Sequence, residues 1–310
     1  MTADADRRER LRRLGGQRRI IAGIALDHRD SLRVVLAQRW PSATSNAELR
    51  ALKAALVRVL APAATAVMLD EELGGQAIDE GLVPSWVGLI MPLEEQGYEA
   101  VGDGRTTALL GDFTPVDAIR RGATAAKLLV PYRVDHATSA AAQDATVAST
   151  VEACHGEGLP LIVEPVPYRW SSESPAEYAG AYRDLVVGAV KRLSPLGVDL
   201  FKLPFPSADG SAGGERAASA ACDAMTAALA GIPWVLLGAG IGTETFLKQI
   251  RIAGTAGASG FLAGRGIWGA ALAGGPQEVE RLATATSLPA FEACRTAAER
   301  WARPVEASRG

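Results

Sequence analysis

The chain has 310 residues, 48 % of them hydrophobic and 22 % charged, with a formal net charge of −3 at pH 7. That composition supports a large core and excludes global disorder. It also lacks the strongly basic balance of a nucleic-acid binder, and its longest apolar runs fall short of the roughly 18–20 residues that span a bilayer.

In chain order, residues 1–18 form a basic segment that includes "RRERLRR" (7–13). It has no apolar stretch of the signal-peptide kind and reads as a short solvated helical turn ahead of one domain, 19–310. Eight strand-like runs then follow: "RIIAGIALD" (19–27), "TAVMLD" (65–70), "SWVGLIMPL" (85–93), "AAKLLVPY" (125–132), "LPLIVEPVPY" (159–168), "VDLFKLPF" (198–205), "PWVLLGAG" (233–240) and "SGFLAGRGIW" (259–268). Each is nearly continuous in aliphatic residues, the pattern of parallel strands covered on both faces. Helical stretches are predicted over 46–61, 138–158, 174–193, 214–231, 243–258 and 276–301. Residues 94–124 read as a long loop or subsidiary strand, then a short helix from Thr114. Eight runs in βα alternation predict a single (β/α)8 TIM barrel. A doubly wound sheet would want a glycine-rich fingerprint after the first strand, and "ALDHRD" (25–30) is not one.

Three cysteines lie far apart with no CxxC pair, which suits reduced thiols in a cytoplasmic protein. The three histidines, His28, His136 and His155, have no ligand spacing, so neither a metal nor another cofactor is expected.

Active sites of such barrels lie at the C-terminal ends of the strands. The ionisable residues there are Asp27, Asp70, Lys127, Glu164, Lys202 and Arg265. One isolated buried charge costs several kcal/mol; six on most of the strands imply a shared polar interior. A lysine attacks a carbonyl only as its neutral amine, and burial and a second nearby cation both favour that form. Lys202 with Lys127 fits this, and Glu164 is the natural acid/base for the proton transfers of imine formation. The protonated imine would then withdraw electrons and permit C–C cleavage. Gly238, Ala239 and Gly240, with Gly264 and Arg265, offer backbone N–H groups and a guanidinium for phosphate at the last two strands.

These residues resemble a known family, the class I aldolases that act on tagatose bisphosphate and sulfofructosephosphate. The signposts are "ALDHRD" (25–30), "AAKLLVPYRVD" (125–135), "LIVEPV" (161–166), "VDLFKLPFP" (198–206), "PWVLLGAG" (233–240) and "AGASGFLAGRGIW" (256–268). The last two look closest to the sulfofructosephosphate branch. The resemblance implies a barrel, no metal, Lys202 as the Schiff-base lysine and Glu164 as acid/base. It also implies that Lys127 and Asp27 line the site and that Arg265 binds phosphate. The chain departs from the family at Gly238 and Ala239, where serines are usual, and at His28, where glutamine is usual. Arg133 resembles the sulfofructosephosphate branch and favours an anionic far end, with Arg169 able to assist; Asp70 is expected to contact substrate. The resemblance also implies a homo-oligomer.

The expected reaction is cleavage of 6-deoxy-6-sulfofructose 1-phosphate to dihydroxyacetone phosphate and sulfolactaldehyde. The alternative substrate is tagatose or fructose 1,6-bisphosphate, giving glyceraldehyde 3-phosphate. A non-catalytic sugar-phosphate sensor is the alternative of another class. Every version takes a small sugar phosphate as partner, and none takes nucleic acid or membrane.

Overall fold

Continuous aliphatic runs make strands that need cover on both faces, and here helices provide the outer cover. The structure is a computed structural model describing residues 2–40, 45–207 and 214–306. Residues 307–310, the end of the predicted barrel span, lie outside the described residues. In chain order the elements are α1 (Ala3–Arg13), β1 (Ile21–Ala25), α2 (Asp30–Arg39), α3 (Asn46–Leu60), β2 (Ala66–Met68), α4 (Glu71–Asp79) and β3 (Gly88–Pro92). Then come β4 (Glu99–Val101), β5 (Gly104–Thr106), α5 (Pro115–Arg120), β6 (Ala125–Pro131), α6 (Ala137–Gly156), β7 (Leu161–Val166), α7 (Pro175–Leu193) and β8 (Leu200–Leu203). The chain continues through α8 (Glu215–Ala228), β9 (Trp234–Gly238), α9 (Thr243–Ala256), β10 (Gly260–Ala263), α10 (Arg265–Trp268), α11 (Val279–Leu282) and α12 (Leu288–Trp301).

Eight strands close into a parallel barrel in the order β1-β10-β9-β8-β7-β6-β3-β2, the single TIM barrel expected from the eight runs. Closure comes from the first strand pairing with the last, Ile21 opposite Gly260 and Ile24 opposite Ala263. Gly260 has φ +134°, and a Cβ there would fall 1.8 Å from the Ile21 carbonyl oxygen, so the seam admits only glycine.

Side chains alternate inward and outward along each strand. The inward set at the lower half is apolar: Ile21, Ala25, Ala66, Met68, Ile90, Ala125, Ile162, Leu200, Val235 and Leu262 pack as one cluster. Stepping two residues towards the C-terminal mouth, the same faces carry Asp27 after Ala25, Lys127 after Ala125, Glu164 after Ile162 and Lys202 after Leu200. The strands are thus apolar plugs below and charged above.

The basic N-terminal segment is more than a solvated turn. It forms α1, N-capped by Thr2, and it buries Leu11 and Leu14 in the barrel's interior cluster together with Val305 from the far end of the chain. Its arginines are anchored as well: Arg10 donates to the Ala123 carbonyl at 2.8 Å, and Arg7 contacts His155 and Asp199.

Three further features depart from the sequence reading. Two helices, not one, separate β1 from β2, because α2 precedes α3. The helix α4 forms in spite of two interior glycines, which weaken helices; Asp70 caps it by accepting from the Leu73 N–H at 2.7 Å. The expected helix 276–301 is interrupted by a π turn at Ala283–Ser287 ahead of α12, which begins beside Pro289. Proline has no N–H to donate to a continuous ladder, and the wider turn accommodates that loss. The 94–124 stretch follows the expectation, with a subsidiary strand pair, the antiparallel hairpin β4–β5, and then the short helix α5, capped by Thr114. Among the described residues no helix is long and apolar enough to cross a membrane.

Candidate active site

The upper, charged ends of the strands surround a cavity of about 290 Å³. Lys202 from β8 enters it and donates to Glu164 Oε2 of β7 at 2.9 Å. Lys127 from β6 lies 3.6 Å from that same oxygen. It also donates to Asp27 Oδ2 at 2.9 Å and to Glu94 Oε1 at 2.5 Å. Lys127, Glu164, Lys202 and Glu94 are each at most 4 % exposed. Two ammonium groups and three carboxylates therefore form one connected network, in which Glu164 stands between the two lysines expected to be neighbours. Among the described residues, no three His, Cys, Asp or Glu side chains are arranged to hold a metal ion; the carboxylates are gathered by ammonium groups instead.

Each group responds to this environment in its own way. Burial alone would push the Lys127 ammonium down, but the charges of Asp27, Glu94 and Glu164 hold it above the ordinary lysine value. Burial would raise Asp27, yet Lys127, His28 and Lys202 hold its carboxyl well below the usual range. Glu94 goes the other way. Burial pushes its carboxyl up, and Asp27 and Glu164 add to that push against the pull of Lys127. His28 is pushed down to about 4, chiefly by burial, with Arg265, Lys202 and Lys53 adding to that push against the attraction of Asp27. Its imidazole is therefore neutral at pH 7. The ring stands edge-on to Trp268, 5.4 Å between centroids.

At the opposite wall, Gly238, Ala239, Gly264 and Arg265 line the cavity as expected, while Gly240 lies outside its lining. A Cβ at Gly264 would fall 2.9 Å from His28 Cε1, so the glycine makes room for that ring. Arg265 is exposed. No hydrogen bond or ion pair holds its guanidinium among the described residues, so it is a cation open to an anionic ligand.

Two residues expected to touch substrate are used elsewhere. Asp70 is 1 % exposed; it pairs with the buried Lys53 of α3 and caps α4, and it does not line the cavity. Its place at the end of a strand is the same as that of Asp27, but α3 supplies a lysine that captures it. Arg133 is 2 % exposed and lies outside the cavity lining. Its guanidinium is filled by Asp135 at 2.7 Å, Glu173 at 2.9 Å and the Tyr168 carbonyl at 2.9 Å, and it stacks over the Trp170 ring. It ties the β6 and β7 loops together. Arg169 likewise turns back on its own loop, contacting the Glu173 and Trp170 carbonyls.

The sequence reading missed Glu94. It follows the predicted third strand by one residue, and inward parity from Ile90 through Pro92 lands on it. The signal was the period-two count carried past the last aliphatic residue. Arg29 and Gln96 were missed too. Gln96 Oε1 accepts from the Arg29 N–H at 2.5 Å and the Asp30 N–H at 2.7 Å, while Arg29 Nη2 donates to the Glu94 carbonyl at 2.7 Å. These bonds fix the β1 and β3 loops against each other, and both residues line the cavity.

The chain is similar to known aldolases in sequence and in fold. The chain is 29 % identical over 273 residues to a protein named tagatose 1,6-diphosphate aldolase from Listeria monocytogenes serotype 4a (strain HCC23), covering 83 % of this chain and 80 % of that one. It is 29 % identical over 283 residues to tagatose 1,6-diphosphate aldolase 2 of Enterococcus faecalis (strain ATCC 700802 / V583), covering 86 % and 85 %. Among solved structures, the fold is similar to fructose-bisphosphate aldolase from Plasmodium falciparum, with a TM-score of 0.70 at 15 % identity over 97 % of this chain and 96 % of that one. It is also similar to an archaeal fructose 1,6-bisphosphate aldolase, with a TM-score of 0.56 at 20 % identity over 91 % and 99 %. The DeoC/LacD family aldolase profile matches residues 21–270. With that match spanning the barrel and its charged mouth, the chain belongs to the DeoC/LacD family of aldolases.

Proposed function

We propose that this protein is a Schiff-base aldolase that cleaves a ketose 1,6-bisphosphate of the tagatose type between C3 and C4. The products are dihydroxyacetone phosphate and glyceraldehyde 3-phosphate. The observation that carries the reading is Lys202, an inward lysine in an apolar strand, 2.9 Å from the buried Glu164 carboxylate. The names of the relatives support the substrate class.

Lys202 attacks the ketose C2 carbonyl. Glu164 relays two of the three ammonium protons, one at a time, to the carbonyl oxygen, which leaves as water and leaves the protonated imine with the third. Lys127 keeps the cavity's charge balanced while those protons move. Arg265, with the backbone of Ala239 and Gly264, receives the 1-phosphate. The case for a sulfonate at C6 rested on the resemblance of 233–240 and 256–268 to the sulfofructosephosphate branch and on Arg133, with Arg169 assisting. With the Arg133 guanidinium neutralised by Asp135 and Glu173, a 6-phosphate is the simpler anion for the far end.

The test is borohydride reduction in the presence of dihydroxyacetone phosphate, followed by intact mass and peptide mapping. A reduced adduct on Lys202 is expected. Binding of the phosphate without any adduct would overturn the reading in favour of a sensor.

A further inference from the structure

Under the aldolase reading, Arg265 receives the 1-phosphate, so the far anion of a ketose bisphosphate must be held on the other side of the mouth. Arg265 follows β10. In the ring of eight strands, β6 stands four places from β10, flanked by β7 and β3. A ketose with its 1-phosphate at Arg265 and C2 at Lys202 therefore runs towards the loops of β3, β6 and β7. Most cations there are already committed. Lys127 sits among three carboxylates, and Arg133 holds Asp135 and Glu173. Arg29 donates to the Glu94 carbonyl, and Arg169 turns back on its own loop.

Arg105 is different. It lies on β5, in the hairpin that follows β3. Its guanidinium lies against two rings, 4.1 Å from the Tyr98 centroid and 4.4 Å from the Tyr168 centroid. The residue is half-buried, and no hydrogen bond or ion pair holds its guanidinium among the described residues. Its backbone is pinned: Tyr168 Oη accepts from the Arg105 N–H at 3.0 Å, and Ser139 Oγ donates to the Arg105 carbonyl at 2.6 Å. Both ring partners adjoin the cavity, because Tyr98 follows Gly97 and Tyr168 lies two residues beyond Val166, and Gly97 and Val166 line it. Two residues along β5, Thr107 Oγ1 donates at 2.8 Å to the carbonyl of Leu129, another lining residue.

We propose, resting on the aldolase reading above, that Arg105 receives the 6-phosphate and selects ketose bisphosphates over ketose 1-phosphates. The two rings restrain the guanidinium through its π faces and leave its N–H donors unspent, which is the arrangement for a bidentate grip on phosphate. A fork held in place beforehand loses less entropy on binding. Arg105 keeps its full charge for the ligand, whereas the charge of Arg133 is spent on two carboxylates. The far-end contact expected of Arg133 thus falls to an arginine on a neighbouring loop.

The experiment measures steady-state cleavage of tagatose 1,6-bisphosphate and of tagatose 1-phosphate by the full chain and by Arg105→Gln. In the variant, the KM for the bisphosphate is expected to rise about 10–100-fold, the range of a lost charge-assisted contact. The KM for the 1-phosphate, which lacks that contact, should stay within twofold, with kcat on both within threefold. An arginine that served only to dock the hairpin would move both substrates alike, and that result overturns the proposal. So does an unchanged KM for the bisphosphate, and so does a parent with equal KM for the two ketoses. If Arg105→Gln does not fold, Arg105→Lys is read the same way. It keeps the charge and loses the fork, and at least a threefold rise in KM for the bisphosphate alone is expected; no rise, or an equal rise for both, overturns the assignment. A parent that cleaves neither ketose rejects the aldolase reading and the proposal with it, a result distinct from any difference between parent and variant.

Discussion

Lys202 and Lys127 share one oxygen atom: Glu164 Oε2 lies 2.9 Å from the first ammonium and 3.6 Å from the second. The two lysines are not equivalent in what they hold. Removing Lys202 leaves Glu164 paired with Lys127, whereas removing Lys127 strands Asp27 and Glu94. Lys202→Met is expected to abolish turnover, by at least about 10³-fold, while unfolding free energy changes by less than about 2 kcal/mol. Lys127→Met is expected to lose about 3–5 kcal/mol, the usual result of uncovering buried partners. Urea unfolding of both variants, beside a cleavage assay, checks the contrast. Equal destabilisation would refute the network as described.

His28 gives the protein an acid sensitivity. Its folded-state value is pushed from the ordinary 6.5 down to about 4, so the unfolded chain takes up a proton that the folded chain refuses. Stability from this source is complete above pH 6.5 and is lost as the pH falls towards about 4. The loss amounts to no more than about 3 kcal/mol. Denaturant midpoints at pH 7 and pH 5 should differ less in His28→Gln than in the parent. An unchanged difference would show that the imidazole titrates normally.

Arg265 is exposed and holds no partner of its own, so its removal should leave stability within about 0.5 kcal/mol. Under the aldolase reading, Arg265→Ala should raise the KM for a ketose 1-phosphate about 10–100-fold, the range of a lost charge-assisted contact. Its kcat should be little changed. Steady-state kinetics with 1-phosphorylated and unphosphorylated ketoses checks this, since only the phosphorylated substrate should feel the change.

Asp70 should behave as a structural residue. Asp70→Ala removes the partner of a buried lysine and the cap of α4 together, worth about 3–5 kcal/mol and about 1 kcal/mol. The KM of whatever fraction folds should stay within twofold. A large KM effect with intact stability would return Asp70 to the substrate.

The fold was legible because the aliphatic runs are continuous and their order admits one closure. Most of the site was legible because charges on apolar strands have few structural excuses. Three readings went astray for a common physical reason, which is that a strand-end position does not say which neighbour will arrive there. Asp70 was captured by Lys53 from α3, and Arg133 by Asp135 and Glu173 from two loops; both partners come from segments whose packing no periodicity announces. Glu94 was hidden by proline in its strand and by the irregular chain that follows, although parity from Ile90 points to it. The helices α2 and α4 were overlooked for a local reason. The first has no side-chain cap, and the second contains adjacent glycines that lower its propensity.

The barrel's floor has a consequence for the order in which the molecule can be made. Leu11 and Leu14 reach the interior cluster near the start of the chain, and Val305 joins them there from near its end, with the Val305 N–H bonded to the Arg19 carbonyl at 2.6 Å. The seam between β1 and β10 likewise needs both halves of the chain. At about 5–20 residues per second, a ribosome takes on the order of tens of seconds to reach Val305. Until then the first leucines face an unsealed sheet. The barrel floor therefore closes only after Val305 has been synthesised, and until then Leu11 and Leu14 lack a member of the cluster they join.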